Sequence, residues 1–197
     1  MPTDLPELIA TVRQLMAPYT GTWALCGGWA VDAWLGRVTR EHEDIDVAVF
    51  RDEQELIHRE LGPTWQLVAH ETKEAAHDVP WDGHPLARWS HVHAGEAVEP
   101  ERELHVSERG EGVWLLGHWS LGDRTAALPQ GRFALETGWG VPLMAPEAIA
   151  FYKSIGERRR RDELDLVNLM ESTLTDDQRA WLRDAVRLTS EDSTGSS

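Results

Sequence analysis

The chain has 197 residues, with 19 lysines and arginines against 34 aspartates and glutamates, a formal net charge of -15. That length suits one domain or a tightly joined pair with a real core, and the charge argues against nucleic acid as a partner while remaining compatible with a small cationic substrate. No window of about twenty apolar residues suggests a membrane span, the start MPTDLPELIATV lacks a secretion-signal pattern, and the single cysteine, Cys26, suits a reducing compartment, so a cytoplasmic protein is expected.

The first helix is predicted over Leu5 to Met16, where Leu8, Val12 and Leu15 recur at helical spacing and Pro6 fits the first turn. Pro18 and Gly21 break it. TWALCG, Thr22 to Gly27, reads as a short strand. WAVDAWLG follows as a helix with Ala30, Val31, Trp34 and Leu35 on one side, closed by Gly36. The polar loop VTREHED leads into the strand IDVAVF. Asp52 through Glu55, DEQE, fits a capping box for a helix carrying Leu56, Ile57 and Leu61. Trp65 to Ala69 reads as the next strand.

From Glu71 to Ser90 the signal is weak. HVHAG, ELHV and GVWLL are short strand candidates, and GRFALETGWGVPL holds turns and a hairpin candidate. Beyond Pro146 the pattern turns helical, with room for two helices around Gly156 and the Arg158 to Arg161 run. Thr175 and Gln178 form a further capping box ahead of a last helix. The expected organisation is an α/β (α+β) domain over residues 1–143, a helical region over 144–189 and a flexible tail over 190–197.

Two features carry chemistry. Asp44 and Asp46 are one residue apart in a strand, so their side chains share a face while Ile45 and Val47 turn inward. Paired carboxylates repel unless something positive sits between them, and Mg²⁺, which takes oxygen ligands and phosphate, is the natural answer. Gly27 and Gly28 stand between strand and helix. They let a ligand approach the backbone, and free N–H groups at a helix start favour phosphate. No Walker loop, cysteine zinc site or nucleophile elbow is present.

The run GGWAVDAWLGRVTREHEDIDVAV resembles the nucleotidyltransferase superfamily, specifically the small antibiotic nucleotidyltransferases acting on aminoglycosides or lincosamides. Gly27, Gly28, Asp44 and Asp46 match the motif, as does the form REH-x-DID from Arg40. Resemblance continues through WDGHPL, MAPEAIAFYKS and RRDELDL. It implies a mixed-sheet nucleotidyltransferase fold with a C-terminal helical region. It also implies Mg²⁺-dependent transfer of a nucleoside monophosphate, AMP from ATP as the first choice of NTP, to a hydroxyl of a small molecule. The family uses a third acid on a later strand. Glu103 in RELHV is the match, as metal ligand or base, with Glu in place of the commoner Asp and with Asp78 and Asp82 in reserve. The strand ELHV is expected beside IDVAVF.

The resemblance further places Arg40, His42 and Lys153 near the nucleotide, although a loop arginine, a loop hydrogen bond and a solvated helix lysine are equally ordinary readings. Asp162 and Asp165 match a late acidic pair that organises the helices or pairs with the neighbouring arginines. Trp81, His84 and Trp89 are candidates for an acceptor cleft or for the core. His91 and His93 share a strand face but lack a third ligand, and read as ordinary polar strand residues. Two alternatives stand beside the antibiotic reading: a nucleotidyltransferase for another hydroxylated metabolite, and a catalytically weak regulatory or antitoxin-like nucleotide-binding protein. The chain is expected to act as a monomer or homodimer.

Overall fold

A computed structural model describes residues 3–70, 80–95, 101–155 and 159–190. The expectation for Asp78 lies outside the described residues, as does that for the tail at 190–197 except for Ser190, which ends the last helix. Among these, α1 spans Leu5–Met16, β1 Trp23–Leu25, α2 Gly27–Leu35, β2 Asp44–Phe50, α3 Gln54–Leu61, β3 Leu67–His70, β4 His91–Ala94, β5 Glu101–Arg109, β6 Val113–Leu116 and β7 Ala126–Pro129. The helices α4 (Pro146–Ser154), α5 (Arg160–Ser172) and α6 (Asp176–Ser190) complete the chain.

The sheet is mixed. Its order is β1-β2-β5-β4-β3, with β6 pairing β5 and β7 pairing β6. Among the described strands the β2–β5 ladder is parallel and the other ladders run antiparallel. A parallel neighbour buried on both sides needs a near-continuous apolar strand, and β2 supplies it: Val47, Ala48, Val49 and Phe50 are all fully buried. The helix α1 contributes Leu8, Val12 and Leu15, also fully buried. One apolar core joins these strands to Phe151 of α4, Leu169 of α5 and Leu182 of α6.

Several local expectations meet a different outcome. DEQE does not cap α3. Residues Arg51–Glu53 form a 3-10 turn, and Glu53 caps nothing with its side chain. Glu53 instead accepts hydrogen bonds from the Tyr19 hydroxyl (2.6 Å) and the Thr22 amide (2.8 Å), and pairs with Arg109. A long-range demand for an acceptor at the β1 entry outcompetes the local cap. The glycine pair is the first turn of α2 itself rather than a linker before it, and β1 is correspondingly shorter than TWALCG. The hairpin reading of GRFALETGWGVPL reduces to bridges: Leu135 with Leu143, and Leu143 in parallel with Leu25 of β1. The strand β7, AALP, had no alternating pattern strong enough to announce it. The Thr175–Gln178 capping box is present in both directions, at 2.8 and 3.3 Å.

Candidate active site

The β2–β5 register sets Asp46 opposite Glu103, Asp44 opposite Glu101 and Ala48 opposite His105. Strand alternation then puts Asp44, Asp46, Glu103 and His105 on one face, with Ile45, Val47 and Leu104 buried beneath them. Asp46, Glu103 and His105 each offer a ligand atom within 4.8 Å of the other two. The His105 Nε2 lies 2.9 Å from Asp46 Oδ1 and 3.5 Å from Glu103 Oε2.

The imidazole partly answers the repulsion between the acids. Desolvation pulls the His105 pKa down, but the hydrogen bond and charge of Asp46, with Glu103 and Asp44 behind, lift it to about 9. Its side chain is nevertheless 44 % exposed, so a ligand can reach it. Burial pushes Asp46 up, and the His105 bond and charge, aided by Lys153 and Arg161, bring it below the ordinary carboxylate range. Asp44 is held above that range by burial and by Asp46. Glu103 is also held up, by burial first and then, against the pull of His105, by Asp46 and Asp44. The site thus contains more negative charge than its one imidazole balances.

Gly27 and Gly28 bring the start of α2 onto this rim. Gly27 has φ +64°, and a Cβ there would collide with the Asp46 carboxylate. A Cβ at Gly28 would collide with the Arg40 guanidinium and press on the His42 ring. The N-cap residue, Cys26, makes no side-chain cap, which leaves the first N–H groups of α2 without the usual capping side chain. The Cys26 amide donates to the Asp46 carbonyl at 2.9 Å, which ties the helix start to the acidic strand.

His42 is 5 % exposed and stacks on Trp29, with ring centroids 4.2 Å apart. Its Nε2 lies 2.6 Å from Asp32 Oδ2. Among the described residues its buried Nδ1, on the Gly28 side, has no hydrogen-bond partner. Arg40 does not extend freely from its loop. It forms a two-pronged pair with Asp165 of α5 at 3.0 and 2.8 Å. Lys153 pairs with Asp162 at 2.7 Å and with Asp165 at 3.1 Å. The structure therefore brings Asp46, Glu103, Gly27 and Gly28 together, sets Arg40 and His42 at the back of the glycine turn, and engages Lys153 with α5. The Lys153 charge still lowers both Asp44 and Asp46.

Of the acceptor-cleft candidates, Trp81 is a core residue, 4 % exposed, donating to the His84 carbonyl at 2.8 Å. His84 is half-exposed and bonds the reserve acid Asp82 at 2.8 Å. Trp89 sits at φ 64°, packed over Gly117. His105 was not singled out in the sequence. The signal for it was the two-residue spacing from Glu103, which makes the pair share a face once ELHV is accepted as a strand.

Comparison with known proteins adds a fold and a local pattern. Residues 8–75 match the aminoglycoside-2''-adenylyltransferase family; that stretch contains the glycine pair and Asp44 and Asp46, and ends before Glu103. The lincomycin-bound lincosamide antibiotic adenylyltransferase LnuA superposes with a TM-score of 0.54 at 18 % identity, over 84 % of this chain and 94 % of that one. ANT(2'')-Ia in complex with adenylyl-2''-tobramycin gives 0.58 at 17 % identity, over 91 % and 97 %. The solution structure of ANT(2'')-Ia gives 0.57 at 18 %, over 93 % and 89 %. No curated protein matches the sequence significantly. At such identities the structural likeness is one of fold. The chain therefore has the nucleotidyltransferase fold, carries the aminoglycoside-2''-adenylyltransferase pattern over residues 8–75, and resembles the small aminoglycoside and lincosamide nucleotidyltransferases.

Proposed function

We propose that the chain transfers a nucleoside monophosphate, AMP from ATP, to a hydroxyl of a small acceptor of the aminoglycoside or lincosamide kind. One observation carries this reading: an uncapped helix start with two glycines converges on a rim of three carboxylates, and Gly27 leaves the space that a Cβ would take from Asp46. Such a start favours phosphate oxygens, and the hard oxygen donors fit Mg²⁺.

Asp44 and Asp46 would hold the metal; when bound, Mg²⁺ neutralises phosphate charge and polarises the phosphoryl centre. The α2 amides cradle the outer phosphates. The buried Nδ1 of His42, on the Gly28 side and without a partner among the described residues, leaves one more polar atom beside this turn for a ligand. Glu103 receives the acceptor proton. Its burial, which raises its affinity for a proton, suits a base better than an exposed carboxylate would. The acceptor oxygen bonds to the α-phosphorus, the bond to the β-phosphate oxygen breaks, and pyrophosphate leaves. Arg40, Lys153 and Arg161 set a positive field around Asp44. A net charge of -15 suits a polycationic acceptor.

The test is incubation of the purified chain with Mg²⁺, each NTP in turn and a panel of aminoglycosides and lincosamides, read by pyrophosphate release and product mass. An acceptor heavier by one nucleotidyl group is expected. Absence of both pyrophosphate and adduct with every NTP, in folded protein, overturns the assignment. Adduct on some other hydroxylated compound alone would replace the acceptor class.

A further inference from the structure

The acidic rim is not the end of this sheet face. The register of β4 against β5 sets His91 opposite His105 and His93 opposite Glu103. The register of β3 against β4 sets His70 opposite His91. His70, His91, His93 and His105, four of the chain's nine histidines, therefore lie side by side on the face that carries Asp46. Ring centroids are 5.1 Å apart for His70 and His91, 4.1 Å for His70 and His93, and 5.1 Å for His91 and His93. His91 and His105 are separated by 6.0 Å.

The pair His91 and His93 lacked a third partner in the sequence, because His70 stands twenty-one positions before His91. The antiparallel β3–β4 ladder supplies it. His70, His91 and His93 each present a ring nitrogen within 4.8 Å of the other two, and all three are half-buried. A tetrahedral ion with metal–nitrogen bonds of about 2.0–2.1 Å needs its ligand nitrogens about 3.3 Å apart. Each imidazole sits on a sheet ladder, so the backbone already fixes the three Cβ positions.

We propose that His70, His91 and His93 form a second divalent-cation site, chemically distinct from the acidic rim and suited to a borderline ion of the Zn²⁺ class. Three neutral imidazoles are the donor set that such ions prefer and that Mg²⁺ does not. A three-histidine site also leaves a fourth position for water or a ligand. The arrangement would separate two ions by chemistry on one continuous face: a hard ion on Asp44 and Asp46, a softer one on the histidines. The proposal stands independently of the nucleotidyl-transfer reading.

The test uses the full chain without an affinity tag, titrated with Co²⁺ and then Zn²⁺ in excess Mg²⁺. One Co²⁺ per chain is expected, with visible bands of tetrahedral intensity, displaced by Zn²⁺. His70→Gln and His93→Gln should each weaken Co²⁺ affinity by at least about tenfold, since loss of a ligand costs no less than loss of a group behind one. Asp46→Asn should leave that affinity unchanged. Absence of Co²⁺ and Zn²⁺ binding up to millimolar concentrations overturns the site. So does binding lost in Asp46→Asn and retained in His70→Gln, which would put the ion on Asp46, Glu103 and His105. X-ray absorption of the wild-type Co²⁺ complex decides without any variant: three imidazoles support the site, and one imidazole with carboxylate oxygens removes it.

Discussion

The β2–β5 rim and the α4–α5–α6 region handle buried charge in opposite ways. On the rim, Asp44, Asp46 and Glu103 crowd one face around the single imidazole of His105, and two of the three carboxyls are held above their ordinary range. In the helical region the acids are matched. Asp165, fully buried, accepts two bonds from Arg40 and lies 3.1 Å from Lys153. Glu147, 3 % exposed, pairs with Arg132 and accepts from Gln178 at 2.8 Å. A fold selected for stability alone would treat both regions as it treats the second. The rim acids share one hydrogen-bonded imidazole, with Arg40, Lys153 and Arg161 acting on Asp44 from farther off, and that shortage of direct partners is what the proposed cation site rests on.

Breaking that asymmetry should give effects of decreasing size. Glu103→Gln should cut turnover by about a hundredfold to ten-thousandfold, the contribution of a positioned proton-transfer group, while circular dichroism and Mg²⁺ affinity stay near wild type. Weakened Mg²⁺ binding would make Glu103 a ligand instead of a base; unchanged turnover would remove both roles. Asp44→Asn should lower turnover by about a hundredfold to a thousandfold, the scale for losing one preorganised electrostatic group. It should not destabilise the fold, because it relieves repulsion with Asp46. A lower urea midpoint in metal-free Asp44→Asn would contradict the idea that the rim is electrostatically strained.

Asp165→Ala tests the other region. It leaves Arg40 and Lys153 without their shared partner, and breaking such a buried pair costs about 3–5 kcal/mol. Urea denaturation of this variant should show that loss; a change below a kilocalorie would mean that the network is dispensable. Gly27→Ala forces a side chain into a left-handed conformation and against Asp46, for about 1–2 kcal/mol from the backbone alone, together with a raised KM for the nucleotide. An unaltered KM would separate the glycine turn from phosphate binding.

The smallest effect is a pH slope. Burial raises the Asp162 carboxyl, but the bond and charge of Lys153, the Arg159 amide and the Arg161 charge together outweigh this and leave it below the ordinary aspartate range. A carboxyl lowered by folding adds stability above its unfolded pKa of about 3.9, and that stability drains away as pH falls through the lower folded value. Asp162→Asn should therefore flatten the acid limb of the stability curve below about pH 4 and leave turnover at neutral pH little changed. Parallel acid limbs in wild type and variant would count against the pairing.

How far the site was readable follows from the range of each interaction. Asp44 and Asp46 were legible because strand alternation is a local rule, and Glu103 because the family resemblance implies a third acid on a later strand. The start of α2 announced itself through two glycines. The 3-10 turn at Arg51–Glu53 did not, because Glu53 answers to Tyr19 and Thr22, more than thirty positions earlier. Arg40 and Lys153 carried the chemistry of phosphate ligands, yet their partners in the fold are Asp162 and Asp165.

By itself the sequence determined the element order from α1 to β6, the two helix-start glycines, the paired aspartates and the split of the final third into helices, since each rests on periodicity or backbone freedom within a few residues. The tertiary structure alone decided which acids receive a positive partner, that His105 stands among the three carboxylates, and that His70 joins His91 and His93. The acid pairs depend on how α4 and α5 pack against the loop of Arg40, and the histidine placements on strand register between segments far apart in the chain, where a shift of one residue would turn the side chains of the shifted strand to the opposite face.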